Sequence, residues 1–179
     1  MEKSTNSSIN ISKLFVALIT ILYFLYYAGT YEDWHFLDNF SLIIHEAGHT
    51  ITFFLGDTIR VLAGSGFQIL IPIVFIFYFY MRSDHFSSTL LLFWLGQNIM
   101  NVSVYVSDAI YMQLPLLGGG GENSIHDWNY ILNSFGILQY THSISSVLYI
   151  LGISTIILAS YFSIILCQNK YMDNNLIEN

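Results

Sequence analysis

Between Ser143 and Cys167 the chain carries no charged side chain, and the run from Ile69 to Met81 is equally apolar. Runs of this character belong in hydrocarbon, where a helix of about 20 apolar residues spans a core about 30 Å thick. Composition agrees: 54% of residues are hydrophobic and only 9% charged, against roughly a quarter charged in soluble domains. Mean hydropathy is +0.56, and an aromatic share of 17% fits interfacial belts. The lipid bilayer is therefore the first expected partner. Nucleic acid is excluded as a partner, because five scattered Lys and Arg make no basic patch. Much of the acid behind the net charge of −7 sits in loops and tails, at Glu2, Glu32, Asp33, Glu122, Asp173 and Glu178. The single cysteine, Cys167, leaves no intramolecular disulfide and no cysteine-based zinc site.

At 179 residues the expected architecture is one domain: an all-α, multi-pass integral membrane protein with about five transmembrane helices. Residues 1–13 read as a disordered tail, 14–167 as the membrane domain and 168–179 as a polar C-terminal tail. The expected spans are Leu14–Ala28, a helix through Phe40–Leu55, Ile69–Met81, Phe86 to about Met112, and Ser143–Cys167. Tyr26-Tyr27-Ala28 lacks the small residues of a cleavage site, so the first run reads as an uncleaved helix. Between Gly56 and Ile69, β-branched residues on either side of Gly64-Ser65-Gly66 predict a short embedded β-hairpin. Such a strand is tolerated at membrane depth only where protein or a wet cavity surrounds it. Gln97, Asn101, Tyr105, Asp108 and Met112 share one side of the fourth span, a polar face that needs a partner inside the bundle. Pro115 and the tetraglycine Gly118–Gly121 make a pliable loop. Asn123 or Ser124 could then cap a short helix through His126-Asp127-Trp128.

The chemistry concentrates in His45-Glu46-Ala47-Gly48-His49. Histidines four apart lie one turn apart on one helix face, so both imidazoles reach one metal ion. Glu46, rotated by about 100° from its neighbours, is placed to hold a water as general base. Ser41, His45, His49 and Thr52 form a polar stripe, which lipid would leave without partners. From this composition the motif arises by chance with a probability of only about 0.005. The bland alternative is a hydrogen-bonded His-Glu-His cluster with no metal. A zinc site needs a third protein ligand. Asp127, behind the flexible glycines, leads; Asp108, His126, His142, Asp57 and His85 remain alternatives. With Asp127 as ligand, His126 becomes an outer donor or a helper of the leaving amine. Asn101 or Gln97 could hydrogen-bond an oxyanion or substrate backbone, or could simply hold helices together. Six histidines with one pair at ligand spacing argue against a di-iron oxygenase.

The metal helix, the Gly-rich segment after it and a later helix with a candidate carboxylate together resemble the site-2 protease family of intramembrane zinc metalloproteases. The likeness is specific over residues 40–70. It implies cleavage of a peptide bond in a membrane-embedded substrate, with His45, His49 and a downstream Asp on Zn2+ and Glu46 as base. It also implies that the segment Gly64–Gln68 lines the substrate cleft. The family's usual Asn-Pro-Asp-Gly or Leu-Asp-Gly ligand motif is absent, and Asn101…Asp108 or His126-Asp127-Trp128 stand in its place. The alternative function is a non-catalytic membrane protein that keeps the metal helix for metal binding or assembly.

Overall fold

The computed structural model describes residues 8–114 and 126–168. Asn10 caps helix α1 (Ile11–Gly29), its side chain accepting from Lys13 N at 3.0 Å. Helix α2 (Phe36–Ile51) follows, with Asp38 in its first turn accepting from the His35 backbone N–H at 2.7 Å. A 3-10 turn (Phe53–Leu55) and Gly56, at φ +87°, lead into α3 (Asp57–Met81). Asp84 caps α4 (His85–Ser107), accepting from Ser87 N at 3.1 Å. The chain resumes with α5 (Asp127–Ser134), a second 3-10 turn (Leu138–Tyr140) and α6 (Thr141–Ile165).

Four helices among the described residues, not five, are long and apolar enough to cross a membrane: α1, α3, α4 and α6 with its leading turn. The helix that carries the metal motif is the exception. Its 16 residues rise only about 24 Å, and its polar stripe dilutes the apolar surface. Helix α1 begins at Ile11, three residues before the expected Leu14. Helix α4 stops at Ser107 rather than near Met112, which has a positive φ of 52°. Residues 1–7, the loop 115–125 with its four glycines and the tail 169–179 lie outside the described residues, and so do the expected caps Asn123 and Ser124.

No strand occurs among the described residues, and the expected hairpin at 56–69 is the first half of α3. Gly64 there serves packing rather than turning. A Cβ on Gly48 of α2 would collide with the Ala63 carbonyl of α3, and a Cβ on Gly64 would collide with two histidine rings of α2. Small residues let helix backbones approach this closely, and that packing outweighs the strand preference of the β-branched neighbours. Pro72 sits buried within the same helix without ending it, as bundle helices tolerate.

Helix α4 is the axis of the bundle, with 56% of its most apolar stretch buried against 17%, 33% and 22% for α1, α3 and α6. It packs on α6 through Gly96 and Gly152, where an added Cβ at Gly96 would meet Ile156 and the Gly152 carbonyl, and one at Gly152 would strike Met100. Phe24, Tyr27, Phe93, Met100, Ile156 and Ala159 fill the core between α1, α4 and α6. At one end Ala17, Phe86 and Cys167 pack together, and Asn10 N donates to Cys167 O at 2.8 Å. That end joins the start of α1 and α4 to the finish of α6. Outward faces are apolar, with Phe15, Leu22, Phe77, Tyr80, Ile150 and Ile157 all exposed, as lipid-facing surface requires.

Candidate metal centre

Helix α2 buries Ser41, His45 and Gly48 against α3 and α4. The rings of His45 and His49 meet edge to face with centroids 4.6 Å apart. Asp127, in the first turn of α5, reaches both: its Oδ2 lies 2.8 Å from His45 Nε2 and 3.0 Å from His49 Nε2. These three ligand atoms lie within 4.8 Å of one another. Bonds of 2.0–2.1 Å at tetrahedral angles would separate the donors by about 3.3 Å, so an ion fits with a few tenths of an ångström of widening. His-His-Asp is also a donor set suited to a divalent metal that leaves one position open. Gly64 is what makes the room, because a Cβ there would stand 2.6 Å from His49 Nε2 and 2.7 Å from His45 Cε1.

Each imidazole is held by its other nitrogen. His49 Nδ1 lies 2.8 Å from the Arg60 carbonyl, and His45 Nδ1 lies 2.8 Å from Gln68 Oε1. Both contacts call for a proton on Nδ1, which leaves Nε2 facing Asp127. Burial pushes the Asp127 carboxyl up, but hydrogen bonds from His45 and His49 outweigh it and bring it below the usual carboxylate range. The His49 imidazole is raised, chiefly by its bond to Asp127 and against the effect of burial.

Helix α5 is pinned where it stands. Trp128 Nε1 donates to Ser65 Oγ at 3.1 Å, Asn129 Nδ2 to the Ala109 carbonyl at 2.8 Å, and Tyr130 Oη lies 3.2 Å from Thr58 Oγ1. Two of these contacts reach α3 and one reaches the end of α4. Leu132 adds apolar packing against Val102, Val106 and Ala109.

Beside the cluster is a cavity of about 50 Å³, lined by His45, Glu46, Tyr105, Asp108, His126 and Asp127 among others. Glu46 is half-buried at its wall, and Tyr105 stacks on His45 with centroids 5.5 Å apart. A second cavity of about 310 Å³ shares Tyr105 and Leu114 with the first and extends past Tyr31, Trp34 and Val104.

The other expected residues are placed differently. Asp108 lines the small cavity, but its carboxylate accepts from Gln113 N at 2.8 Å and Leu114 N at 2.9 Å, closing the end of α4. His126 precedes α5 at the same cavity. Asp57 pairs with Arg60 at 3.1 Å, and His85 stands at the far start of α4 against Tyr80. Gln68 is not a cleft residue. It is fully buried, accepting from His45 and donating to Asn101 Oδ1 at 2.8 Å. Gln97 Nε2 and Asn101 Nδ2 donate to Asp38 Oδ1 at 2.6 and 3.2 Å, and Asn101 also lines the larger cavity.

Asp38 is the one buried acid of this network that the sequence does not single out. It is 1% exposed and also accepts from Tyr27 Oη at 3.2 Å. A signal did exist: Gln97 and Asn101, one turn apart on α4, need an anionic partner, and Asp38 is the nearest acid before the metal motif. Tyr105 was visible only as part of the polar stripe.

No protein family, curated protein or solved structure matches this chain.

Proposed function

We propose that this chain is a multi-pass intramembrane zinc metalloprotease, similar to the site-2 proteases, that hydrolyses a peptide bond of a membrane-embedded substrate. The observation that carries the reading is the convergence of His45 Nε2, His49 Nε2 and Asp127 Oδ2 beside a cavity walled by Glu46. His45, His49 and Asp127 would hold the ion. Zinc, when bound, supplies Lewis acidity that polarises a carbonyl and lowers the pKa of a water towards neutrality. Glu46 then takes the proton of the attacking water on a carboxylate oxygen and delivers it to the leaving nitrogen. Tyr105 and His126 flank that path from two other sides of the cavity.

The small cavity has room for water rather than for a peptide. The adjoining 310 Å³ space offers the volume for a substrate side chain, entered past Tyr31 and Trp34. With α3 helical, no strand edge is available among the described residues to pair with an unwound substrate. The side-chain pocket and the ion would therefore have to hold it.

Purified protein should carry one zinc per chain, and Glu46→Gln should keep that zinc while losing cleavage of a membrane-embedded peptide by at least about 100-fold. Protein that takes up no metal would sink the reading. The second reading is a non-catalytic metal-binding or assembly protein, favoured by the 50 Å³ size of the cavity at Glu46. It predicts that Glu46→Gln changes nothing the protein does.

A further inference from the structure

The two imidazoles are held by acceptors of different kinds. The Arg60 carbonyl facing His49 Nδ1 can only accept. Gln68 facing His45 Nδ1 is an amide, which offers oxygen in one orientation and N–H in the other. Turned the wrong way, Gln68 would donate to Nδ1 and push the proton onto Nε2, where the ion must sit. Something has to fix its direction.

We infer that Asp38 is a positioning residue that sets the direction of a relay ending at His45 Nδ1, an inference that rests on the metal-site reading above. A carboxylate can only accept. Asn101 must therefore present Nδ2 to Asp38 Oδ1, at 3.2 Å, which turns its Oδ1 towards Gln68. Gln68 must answer with Nε2, at 2.8 Å, which turns its Oε1 towards His45. Oε1 in turn demands a proton on His45 Nδ1, at 2.8 Å, and frees the Nε2 lone pair. Each step leaves one orientation. Gln97 Nε2, Tyr27 Oη and the His35 backbone N–H hold the anchor itself from other sides, at 2.6, 3.2 and 2.7 Å. Asp38, Gln68 and Asn101 are all buried, at 1%, 0% and 8% exposure, and Asp38 and Asn101 also border the larger cavity.

Asp38→Asn keeps the shape but lets the new amide donate at position 38. Asn101 and Gln68 can then both reverse, and His45 Nδ1 becomes an acceptor. Adding Gln68→Glu restores an obligate acceptor beside His45, and the reversed Asn101 suits it. The experiment measures zinc affinity by competition with a chromophoric chelator for wild type, Asp38→Asn, and Asp38→Asn combined with Gln68→Glu, beside the thermal melting of each metal-free protein. Asp38→Asn should weaken zinc by about 10- to 100-fold, the range for outer-shell partners of metal ligands. The double variant should recover most of that loss. A role in packing alone predicts the opposite, a double variant at least as weak as Asp38→Asn. Should Asp38→Asn not fold, Asn101→Leu cuts the relay and leaves Asp38 its other three donors, with the same weakening expected. Wild-type affinity in either single variant, or no recovery in the double, overturns the relay while the metal reading stands. A wild type that binds no zinc overturns both.

Discussion

Gly64 lies directly beneath the ring of His49, so close that a Cβ on it would stand 2.6 Å from both Cε1 and Nε2. The candidate metal centre thus depends on α3 giving way to the two histidines of α2, while its third ligand comes from α5. Gly64→Ala should push the imidazoles off Asp127 while leaving the helices formed. Overpacking of this kind costs about 1–3 kcal/mol, and most of it should appear as lost affinity because the rings move more easily than the backbone. Zinc affinity should fall by about 5- to 150-fold, at near-constant helical circular dichroism. Retained zinc would mean that α3 shifts instead.

Three carboxylates line the small cavity, Glu46, Asp108 and Asp127, and only Asp127 touches the histidines. Asp127→Ala removes a ligand and should abolish stoichiometric zinc binding. Asp108→Ala removes the acceptor of the Gln113 and Leu114 N–H groups, a loss of about 1 kcal/mol as for other helix-end bonds. It should leave zinc in place. Metal analysis of the two purified variants checks the assignment, and zinc loss in Asp108→Ala alone would reverse it.

The architecture divides along the same physical line. Burial in lipid leaves a coarse signature, so the apolar runs located α1, α4 and α6 to within a few residues. Histidine spacing is local geometry, and it located the ligand face of α2. Glycine at 64 is ambiguous in sequence: the residue that permits a turn also permits close helix contact, and only the partner helix tells the two apart. Gln97 and Asn101 are legible in the sequence as amides in need of partners, whereas Gln68 reads as a cleft residue. Their acceptor, Asp38, lay outside the helix pattern because a first-turn acid ordinarily faces water. Its burial follows from how α1 and α4 close over it, and that is a tertiary fact.

Zinc uptake should depend on pH in a defined direction. The proton on His49 must leave before its Nε2 can bind, and the bond to Asp127 raises that group's pKa above the ordinary imidazole value of 6.5. Asp127 itself is lowered and stays ionised well into the acid range. Affinity should therefore level off above the raised His49 value and fall about tenfold per pH unit below it, with about one proton released per zinc bound. Chelator competition across mildly acid to neutral pH measures the slope. A flat profile would show that His49 does not compete with its proton for the ion.

The anchoring of α5 makes the last prediction. Asp127 reaches the histidines from a helix of 8 residues, too short to be stable alone, so its position depends on side-chain ties to α3 and α4. Trp128 to Ser65 and Asn129 to the Ala109 carbonyl are the two that directly follow it in sequence. Each is a single neutral hydrogen bond, worth about 0.5–1.5 kcal/mol net. Trp128→Phe keeps the ring packing and removes only the indole N–H. Asn129→Ala removes the amide. Both variants leave all three ligands, so each should still bind one zinc, with affinity weakened by about 2- to 12-fold, the factor that energy corresponds to. The loss should appear mainly as faster zinc release, because opening of α5 withdraws Asp127 first. Stopped-flow release into excess chelator resolves the rates. Release unchanged in both variants would show that Asp127 is held by the ion rather than by its helix.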